Sequence, residues 1–423
     1  MRICIFEDRR VDALEPLSLT RPAFDLLCGA GSLLQRHVRA FAADEVGVLV
    51  RPELAELCRL MHPELAVNDP DWLRDGTTLL VNARWLPSAP IEDRQSPRIG
   101  LVGEAVAYVV LPAPGVPECT AETVAEWVED CKDTLPRTPA GGVMAGHLWD
   151  LVEHNPTALD DDLAAFRAPR PPRTLTNVAV LGPEESFVVD PMATIEPFVV
   201  ADTRNGPVLI DRGAVVHSFS RLEGPCYVGP ESWILGAKLR GGTIGPCCRI
   251  GGEVEACILQ GHSNKYHDGF LGHSYVGEWV NLGAGTQVSD LRNDYGMIRV
   301  SVNGVRVPTG RNKVGSFIGD HTKTGLGTLL NTGTTVGAFC GLLPSGSLLP
   351  HVIPSFCMYG YGQLQERWDL RQLFATAAVA MRRRGHELSG VHTDFLFGLY
   401  DRTAALRRKV IREVELRRWR QSV

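Results

Sequence analysis

The sequence has no long apolar segment and no charged-then-apolar leader before its first predicted strand, Arg2 to Phe6. No uninterrupted apolar run approaches the roughly 18 residues that a membrane-spanning helix needs. We therefore expect a cytoplasmic protein that makes no membrane contact.

Cysteine and histidine also lack the spacings that bind metals. The 11 cysteines are scattered, apart from the adjacent Cys247 and Cys248, and none forms a C-x-x-C pair. The 12 histidines form no H-x-x-x-H pair. Neither a zinc site nor a disulfide framework is indicated, and we expect reduced thiols.

Charge of one sign is not in large excess, since the formal net charge is -6 and the pI is near 6.1. This balance gives no basic surface for nucleic acid, so we expect small-molecule partners. The 423 residues, 44% of them hydrophobic, are enough for two domains.

Residues 1–165 alternate short β-rich runs with amphipathic helical runs, which predicts βαβ units around a parallel sheet. The predicted strands are Ile3 to Phe6, Val46 to Val50, Leu79 to Val81 and Ala107 to Leu111, and the predicted helices include Leu33 to Phe41 and Leu54 to Leu60. The basic, proline-rich stretch from Arg167 to Arg173 predicts a linker over 166–175.

From 176 to 363 the aliphatic residues repeat every six positions and are often followed by glycine. The repeat runs through Ile210, Val216, Leu222, Val228 and Ile234, then Ile244 and Ile250, then Phe270, Val276, Leu282 and Val288, and finally Ile318, Thr324, Leu330, Val336, Leu342 and Leu348. A period of six fits a triangular parallel β-helix with one hexapeptide per face. Its flat faces favour a homotrimer.

The repeat fails between about 289 and 315, where Asn303-Gly304 predicts a projecting hairpin. The last segment, 364–423, is helical in pattern. We expect it to cap the open end of the β-helix.

The segment from Gly261 to Tyr275 holds three histidines, a lysine and a carboxylate where a plain hexapeptide turn needs none. His267 lies three residues before Phe270 and need not face the core, and Asp268 or a carbonyl could fix its tautomer. Any one of these histidines could equally be an ordinary surface residue. Their clustering favours a functional role for His267.

The run from His267 through Asn281-Leu-Gly-Ala-Gly-Thr286 resembles the bifunctional N-acetylglucosamine-1-phosphate uridyltransferase/glucosamine-1-phosphate acetyltransferases. Nearly the whole chain is similar to their short relatives, the sugar nucleotidyltransferases. The resemblance implies a Rossmann-like nucleotidyltransferase domain, then a left-handed β-helix that uses acetyl-CoA.

By this resemblance His267 is the general base that deprotonates an acceptor amine, and Asn281 helps to orient it. Lys313 corresponds to a lysine near the acyl-CoA or sugar, and Arg240 to the arginine that binds the sugar phosphate. For Arg240, a one-residue slip would put Leu239 inward and Arg240 outward. Backbone N–H donors of the turn Gly283, Ala284 and Gly285 are expected to meet acetyl-CoA.

Three positions depart from the family pattern, with Cys257 for a lysine, Phe270 for a tyrosine and Asp290 for an asparagine. Lys265 or Tyr295 could compensate for the lost substrate-binding groups. A different acceptor, or the loss of acetyl transfer, stays open.

In the first half, the segment Leu17-Ser-Leu-Thr-Arg-Pro22 is similar to the opening of the short relatives, with Arg21 as the candidate cation near a triphosphate. Asn82 falls where larger relatives place the Asp that binds Mg²⁺, and an Asn carbonyl is a weaker ligand. Arg21 could equally be a plain helix-start residue. For Arg84 we favour a surface charge.

The expected function is a sugar-phosphate transferase that joins a nucleoside triphosphate to a sugar 1-phosphate, acetylates an amino-sugar phosphate, or does both. One alternative is nucleotidyl transfer alone, with the β-helix as a trimerisation scaffold. Another is a nucleotide-sugar-binding regulator without catalysis.

Overall fold

The computed structural model describes residues 1–76, 78–88, 91, 96–111, 119–166 and 175–422, with side chains up to residue 416. The predicted linker therefore lies outside the described residues, apart from its two ends.

The first half is built on a seven-stranded sheet with the order β3-β2-β1-β4-β7-β6-β8. Its strands are β1 Arg2–Phe6, β2 Glu45–Leu49, β3 Ala66–Val67, β4 Thr78–Asn82, β5 Trp85–Leu86, β6 Arg98–Val102, β7 Ala105–Leu111, β8 Arg137–Pro139 and β9 Val143–Met144, of which β5 and β9 form a separate pair. The α-helices are α1 Leu33–Phe41, α2 Ala55–Met61, α3 Pro70–Arg74, α4 Val124–Thr134 and α5 Leu148–Phe166. The predicted strands and helices are present.

The prediction of a parallel sheet is only partly correct, because the sheet is mixed. β1 pairs in parallel with β2 and β4, but β7 runs antiparallel to both β4 and β6. A short turn joins β6 to β7, which leaves no room for a crossover helix. The carboxyl ends of β1 and β4 still meet at one edge, where Asp8 and Asn82 lie.

The second half is a left-handed parallel β-helix, as predicted. Its coils begin with β10 Ala179–Leu181, β11 Phe187–Val189, β12 Thr194–Ile195, β13 Val200–Asp202, β14 Val208–Ile210, β15 Val215–Val216, β16 Arg221–Val228, β17 Trp233–Ile234, β18 Lys238–Ile244, β19 Arg249–Ile250, β20 Glu253–Gly261, β21 Asn264–Lys265, β22 Phe270–Gly272, β23 Tyr275–Glu278 and β24 Gln287–Val288. Each strand pairs in parallel with its counterpart in the next coil, as Leu222, Leu239, Val254 and Leu271 do in turn.

An antiparallel hairpin interrupts the coils, formed by β25 Arg299–Val302 and β26 Val305–Pro308 with Asn303-Gly304 as its turn. Gly304 has a φ of +77°, a conformation that suits glycine. The coils resume with β27 Ser316–Ile318, β28 Lys323–Thr324, β29 Leu329–Leu330, β30 Thr334–Val336, β31 Gly341–Leu342, β32 Val352–Ile353, β33 Cys357–Gly360 and β34 Gln363–Glu366.

The hexapeptide pattern located the inward side chains with two errors. Phe270 is only half-buried while Leu271 is fully buried, and Leu348 is 53% exposed while Leu349 is buried. In both coils a corner shifts the register by one residue. Leu239 is buried and the Arg240 side chain is 43% exposed, which is the slip expected there.

The C-terminal tail begins with β34 and continues as α6 Leu370–Arg382, α7 Gly390–Arg402 and α8 Ala404–Ser422. Val410 of α8 packs with Tyr359 and Leu364, so α8 covers the last coil as expected. In contrast, α6 and α7 pack beside the coils and against α2.

The two halves share one hydrophobic core. Ile258, Tyr275 and Phe317 of the β-helix belong to the same buried cluster as the inner face of the first-half sheet. The Tyr275 hydroxyl accepts a hydrogen bond from the Leu27 amide at 2.7 Å. The halves are therefore packed together through a buried apolar surface that also contains hydrogen bonds between them.

All 11 cysteines are free thiols, ten of them buried and Cys247 half-buried. Among the described residues, no helix is both long enough and apolar enough to cross a membrane.

Candidate functional site

His267 lies at a corner of the β-helix, between β21 and β22, and its side chain is exposed. Within the described part of the chain its imidazole makes no hydrogen bond, and its ring contact is with Tyr266 at 5.2 Å. The predicted role of Asp268 in fixing its tautomer is therefore not seen. The Asp268 carbonyl instead accepts the Gly285 amide at 2.9 Å.

That hydrogen bond places the turn Gly283 to Gly285 beside the His267 corner, one coil further on. A Cβ on Gly283 would lie 2.6 Å from the Thr324 carbonyl, so only glycine fits there. The Gly283 amide donates to Thr324 Oγ1 at 2.9 Å. The Ala284 amide donates to no described residue, and it is the donor of this turn left for a ligand.

Asn281 and Lys265 lie on the face of the β-helix next to the His267 corner. The Asn281 side chain points outward and the Lys265 side chain points inward. Asn281 is exposed and lies between Asn264 and Lys323 of the adjacent coils. Lys265 is 3% exposed and occupies the inward position next in line after Ile250. Its ammonium donates to the Gly251 carbonyl at 2.8 Å and the His267 carbonyl at 3.2 Å. Lys265 therefore supports the His267 corner from inside and does not replace a substrate-binding lysine.

A strip of outward-facing charged residues runs beside β22, the strand between His267 and His273. It consists of Arg240 on β18 and of Glu253 and Glu255 on β20. Arg240 contacts Glu253 at 2.9 Å and Glu255 at 3.4 Å. Lys313 reaches the same strip and contacts Glu255 at 2.9 Å. Burial would raise the pKa of the Glu255 carboxyl, but the hydrogen bond and the charge of Lys313 lower it. Arg240, the predicted phosphate-binding residue, and Lys313, the predicted lysine near the acyl-CoA or sugar, are thus already paired with carboxylates.

Cys257 faces the interior and is fully buried, so no side chain at that position could reach the strip. Asp290, the third departure from the family pattern, forms a hydrogen bond with a histidine. Its Oδ2 lies 2.7 Å from His273 Nδ1, and Asp290 is 7% exposed. The sequence shows both residues but not their pairing, because Asp290 is one coil further along the chain.

Glu255, His273 and Asp290 bring atoms of metal-binding type within 4.8 Å of one another. Both carboxylate oxygens of Glu255 are already engaged by cations, and Asp290 is bonded to the imidazole. We describe this trio as a charged hydrogen-bond network.

A cleft of about 530 Å³ opens beside Ser289 and Leu291, the neighbours of Asp290. The hairpin forms one wall, and the cleft is lined by Arg292, Arg299 and Arg306. Tyr295 is 71% exposed in the adjoining loop. Asp294 also lines the cleft and is paired with Arg292, so the cleft has room for a phosphate-bearing ligand and an excess of arginine over carboxylate.

In the first half, Asp8 and Asn82 meet at the predicted edge with Arg84. Arg84 is 1% exposed and donates to Asp8, which corrects its prediction as a surface charge. The Asn82 amide donates to Asp8 at 2.9 Å, and its carbonyl accepts the Arg84 amide at 3.0 Å. These groups satisfy one another and do not fit a Mg²⁺ site, so no step is assigned to that ion.

Arg21 is 3% exposed and turns away from this edge. It is ion-paired with Asp320 of the β-helix and lies 3.4 Å from Glu278. In this conformation it joins the two halves and does not reach a triphosphate.

Residues 3–170 match the sequence model of the family described as "Sugar nucleotidyl transferase". The predicted resemblance of the first half is confirmed by this match.

Several proteins share shorter segments with the chain. The "Bifunctional sugar-1-phosphate nucleotidylyltransferase/acetyltransferase" of Sulfurisphaera tokodaii is 38% identical over 92 residues, which are 22% of this chain and 23% of that protein. The "Bifunctional protein GlmU" of Methanocaldococcus jannaschii is 34% identical over 88 residues, 21% of each chain. The protein of the same name from Jannaschia sp. is 32% identical over 169 residues, 38% of this chain and 32% of that one. The matched segments thus span a third or less of these curated relatives.

Among solved structures, a UDP-N-acetylglucosamine acyltransferase aligns with 51% of this chain and 80% of its own, at 17% identity and a TM-score of 0.19. The β-helix fold of this chain rests on its own strand pairing and not on that alignment.

Proposed function

We propose that the chain is a sugar-phosphate transferase whose β-helix transfers the acetyl group of acetyl-CoA to the amine of an amino-sugar phosphate. The observation that carries this proposal is the corner where exposed His267 lies beside the turn with the unpaired Ala284 amide. A base and an N–H donor at one corner are the two elements that acyl transfer to an amine requires.

In the proposed reaction, the amine nitrogen attacks the thioester carbonyl carbon and His267 accepts the proton that the nitrogen loses. The Ala284 amide donates to the oxygen on which negative charge develops. The carbon–sulfur bond then breaks and coenzyme A leaves as the thiolate. Asn281, exposed on the adjoining face, is the residue proposed to orient the acceptor.

The acceptor's phosphate has two candidate sites. Arg240 is paired with Glu253 and Glu255, which weakens it as a phosphate ligand. The cleft lined by Arg292, Arg299 and Arg306 lies beyond the other end of the strip. Lys313 stands between the two, and Tyr295 borders the cleft.

A second candidate function is nucleotidyl transfer by the first half, favoured by the family match over residues 3–170. The mutual pairing of Asp8, Asn82 and Arg84 favours nucleotide-sugar binding without turnover in that half. If that half has lost its activity, the β-helix carries the chemistry.

A homotrimer and a cytoplasmic location complete the proposal. The exposed rings of Phe198 and Phe219 stack at 5.8 Å on the outside of the coils and offer an apolar contact for another copy. Light scattering after gel filtration measures the mass of the assembly, which should be three times that of one chain.

The decisive experiment supplies the full chain with acetyl-CoA and glucosamine 1-phosphate and follows release of coenzyme A by chromatography. In parallel, UTP, Mg²⁺ and N-acetylglucosamine 1-phosphate are supplied and pyrophosphate is measured. We expect acetyl transfer, and its loss in His267→Ala. The control is His217→Ala, a half-buried histidine several coils earlier. Unchanged transfer in His267→Ala would remove His267 from the mechanism, and pyrophosphate release would establish the nucleotidyl activity.

A further inference from the structure

His273 has the features of an oriented acid–base group that His267 lacks. Its Nδ1 lies 2.7 Å from the buried carboxylate of Asp290. Its side chain is 21% exposed, and Nε2 has no partner in the described part of the chain. A carboxylate that accepts a hydrogen bond from the N–H of one ring nitrogen holds the imidazole in the tautomer whose other nitrogen carries a lone pair.

The backbone around His273 is also fixed. The His273 amide donates to the Glu255 carbonyl at 2.8 Å, and its own carbonyl accepts the Gly315 amide at 2.9 Å. The Asp290 carbonyl accepts the Val314 amide at 2.8 Å. Three coils of backbone therefore hold the pair, and little freedom is lost when a substrate arrives.

The surroundings of the pair suit a positively charged amine. Glu255 lies within 4.8 Å of both His273 and Asp290, and Glu253 stands two positions before it on β20. Three carboxylates thus face two cations, Arg240 and Lys313, on this strip. The remaining negative charge favours an ammonium group beside Glu255 and Asp290.

An ammonium group cannot attack a thioester, because its nitrogen lone pair holds a proton. The acceptor must lose one proton before the attack and another from the nitrogen after the new bond forms. A single imidazole that has accepted the first proton cannot accept the second until it has released the first. His267 and His273 flank the same strand, β22, at its two ends.

We propose that His273, positioned by Asp290, is a second catalytic base, which removes the proton from the ammonium form of the acceptor. This inference rests on the proposed acetyl transfer and adds a group to the same site. The ammonium gives a proton to His273 Nε2, and the freed lone pair forms the nitrogen–carbon bond. The carbon–sulfur bond breaks, the proton left on nitrogen goes to His267, and the thiolate of coenzyme A takes up a proton. The products are the amide, coenzyme A and one released proton.

The test compares two acceptors in the full chain, with acetyl-CoA as the donor. Glucosamine 1-phosphate carries an amine that is largely protonated, whereas hydroxylamine is unprotonated at neutral pH and needs no base before attack. In His273→Gln we expect kcat for glucosamine 1-phosphate to fall about 100-fold with KM nearly unchanged. The rate with hydroxylamine should stay within about threefold, because the lost step is not needed.

Asp290→Asn keeps the shape of the side chain and removes its charge, and should lower kcat for the amino sugar about tenfold, again sparing hydroxylamine. His217→Gln is the matched control, because His217 Nδ1 also contacts a carboxylate, Glu196, at 3.0 Å on the outside of the coils. It should change neither rate. Circular dichroism checks that each variant is folded.

Equal losses with both acceptors would assign His273 a structural role and overturn the proposal, as would full activity in His273→Gln. If the unaltered chain acetylates hydroxylamine and glucosamine 1-phosphate but His273→Gln does so equally well, only this inference fails. If the unaltered chain acetylates neither, the proposed function fails and the inference fails with it.

Discussion

Arg21 of the first half and Asp320 of the β-helix form an ion pair between the two halves, with side chains only 4% and 7% exposed. The same carboxylate accepts the Thr20 hydroxyl at 2.7 Å, and its other oxygen accepts the Glu278 amide at 2.8 Å. Polar contacts with the β-helix therefore act together with the buried apolar side chains of Leu17 and Phe24 in fixing the loop that follows β1.

Replacing one member of this pair should destabilise the protein strongly. Arg21→Met leaves the buried Asp320 and the half-buried Glu278 without their cation, and we expect a loss of about 3 kcal/mol in the free energy of unfolding. Urea denaturation measures it. Arg292→Met breaks an exposed pair with Asp294 and should cost less than about 1 kcal/mol. Similar losses in both variants would contradict the buried role of Arg21.

Asp8 should make stability sensitive to acid. Burial would raise the pKa of the Asp8 carboxyl, but the hydrogen bond and the charge of Arg84 lower it below its ordinary value of 3.8. A carboxyl whose pKa is depressed by folding stabilises the fold at higher pH and loses that contribution as pH falls through the folded pKa. We expect Asp8→Asn to be less stable at pH 7 and to show a shallower loss of stability below pH 3.8. Parallel curves for both proteins would be the contrary result.

Lys265 should also make stability rise with pH, but in alkaline instead of acidic solution. Burial lowers the pKa of this lysine from 10.5 to about 8. Between these values the unfolded chain binds a proton that the folded chain does not, so stability should rise with pH by at most about 1.4 kcal/mol per unit. Lys265→Met should lack this rise. Unfolding free energies at several pH values between 8 and 10 provide the comparison, and an equal slope in the variant would show that Lys265 does not cause it.

Arg240 and Glu253 should have opposite effects on a phosphate-bearing acceptor. If Arg240 binds the phosphate in competition with Glu253, Arg240→Met should raise KM for glucosamine 1-phosphate about tenfold, equivalent to about 1.4 kcal/mol. Glu253→Gln removes one of the two carboxylates that contact Arg240 and should lower that KM. Steady-state kinetics with glucosamine, which has no phosphate, is the control. If neither variant alters KM, the phosphate lies in the cleft lined by Arg292, Arg299 and Arg306.

The sequence predicts the β-helix because its period reflects a repeated contact, in which each hexapeptide places one aliphatic side chain inward. It misplaces Phe270 and Leu348 because a corner can shift the register by one residue without changing the composition. The hairpin is predictable from Asn303-Gly304, whose turn chemistry is local. The antiparallel direction of β7 could not be predicted in this way, because it depends on the short turn that joins β6 to β7.

The candidate site is only partly predictable for the same reason. His267 and the turn from Gly283 to Gly285 stand in one continuous motif, whereas Arg84 with Asp8, and His273 with Asp290, meet only after the chain folds. Asp290 is the instructive residue. In the sequence it counts as a lost asparagine, but in the structure it is the buried partner of an imidazole.

The core shared by the two halves restricts how this protein can change. Removing the first half would expose the side chains of Ile258, Tyr275 and Phe317, and this exposed apolar surface would make the β-helix prone to aggregation. Neither half can be discarded as a separate module, even if its chemistry is no longer needed. A lineage that loses one activity is thus constrained to keep the inactive half as scaffolding and to alter it one side chain at a time.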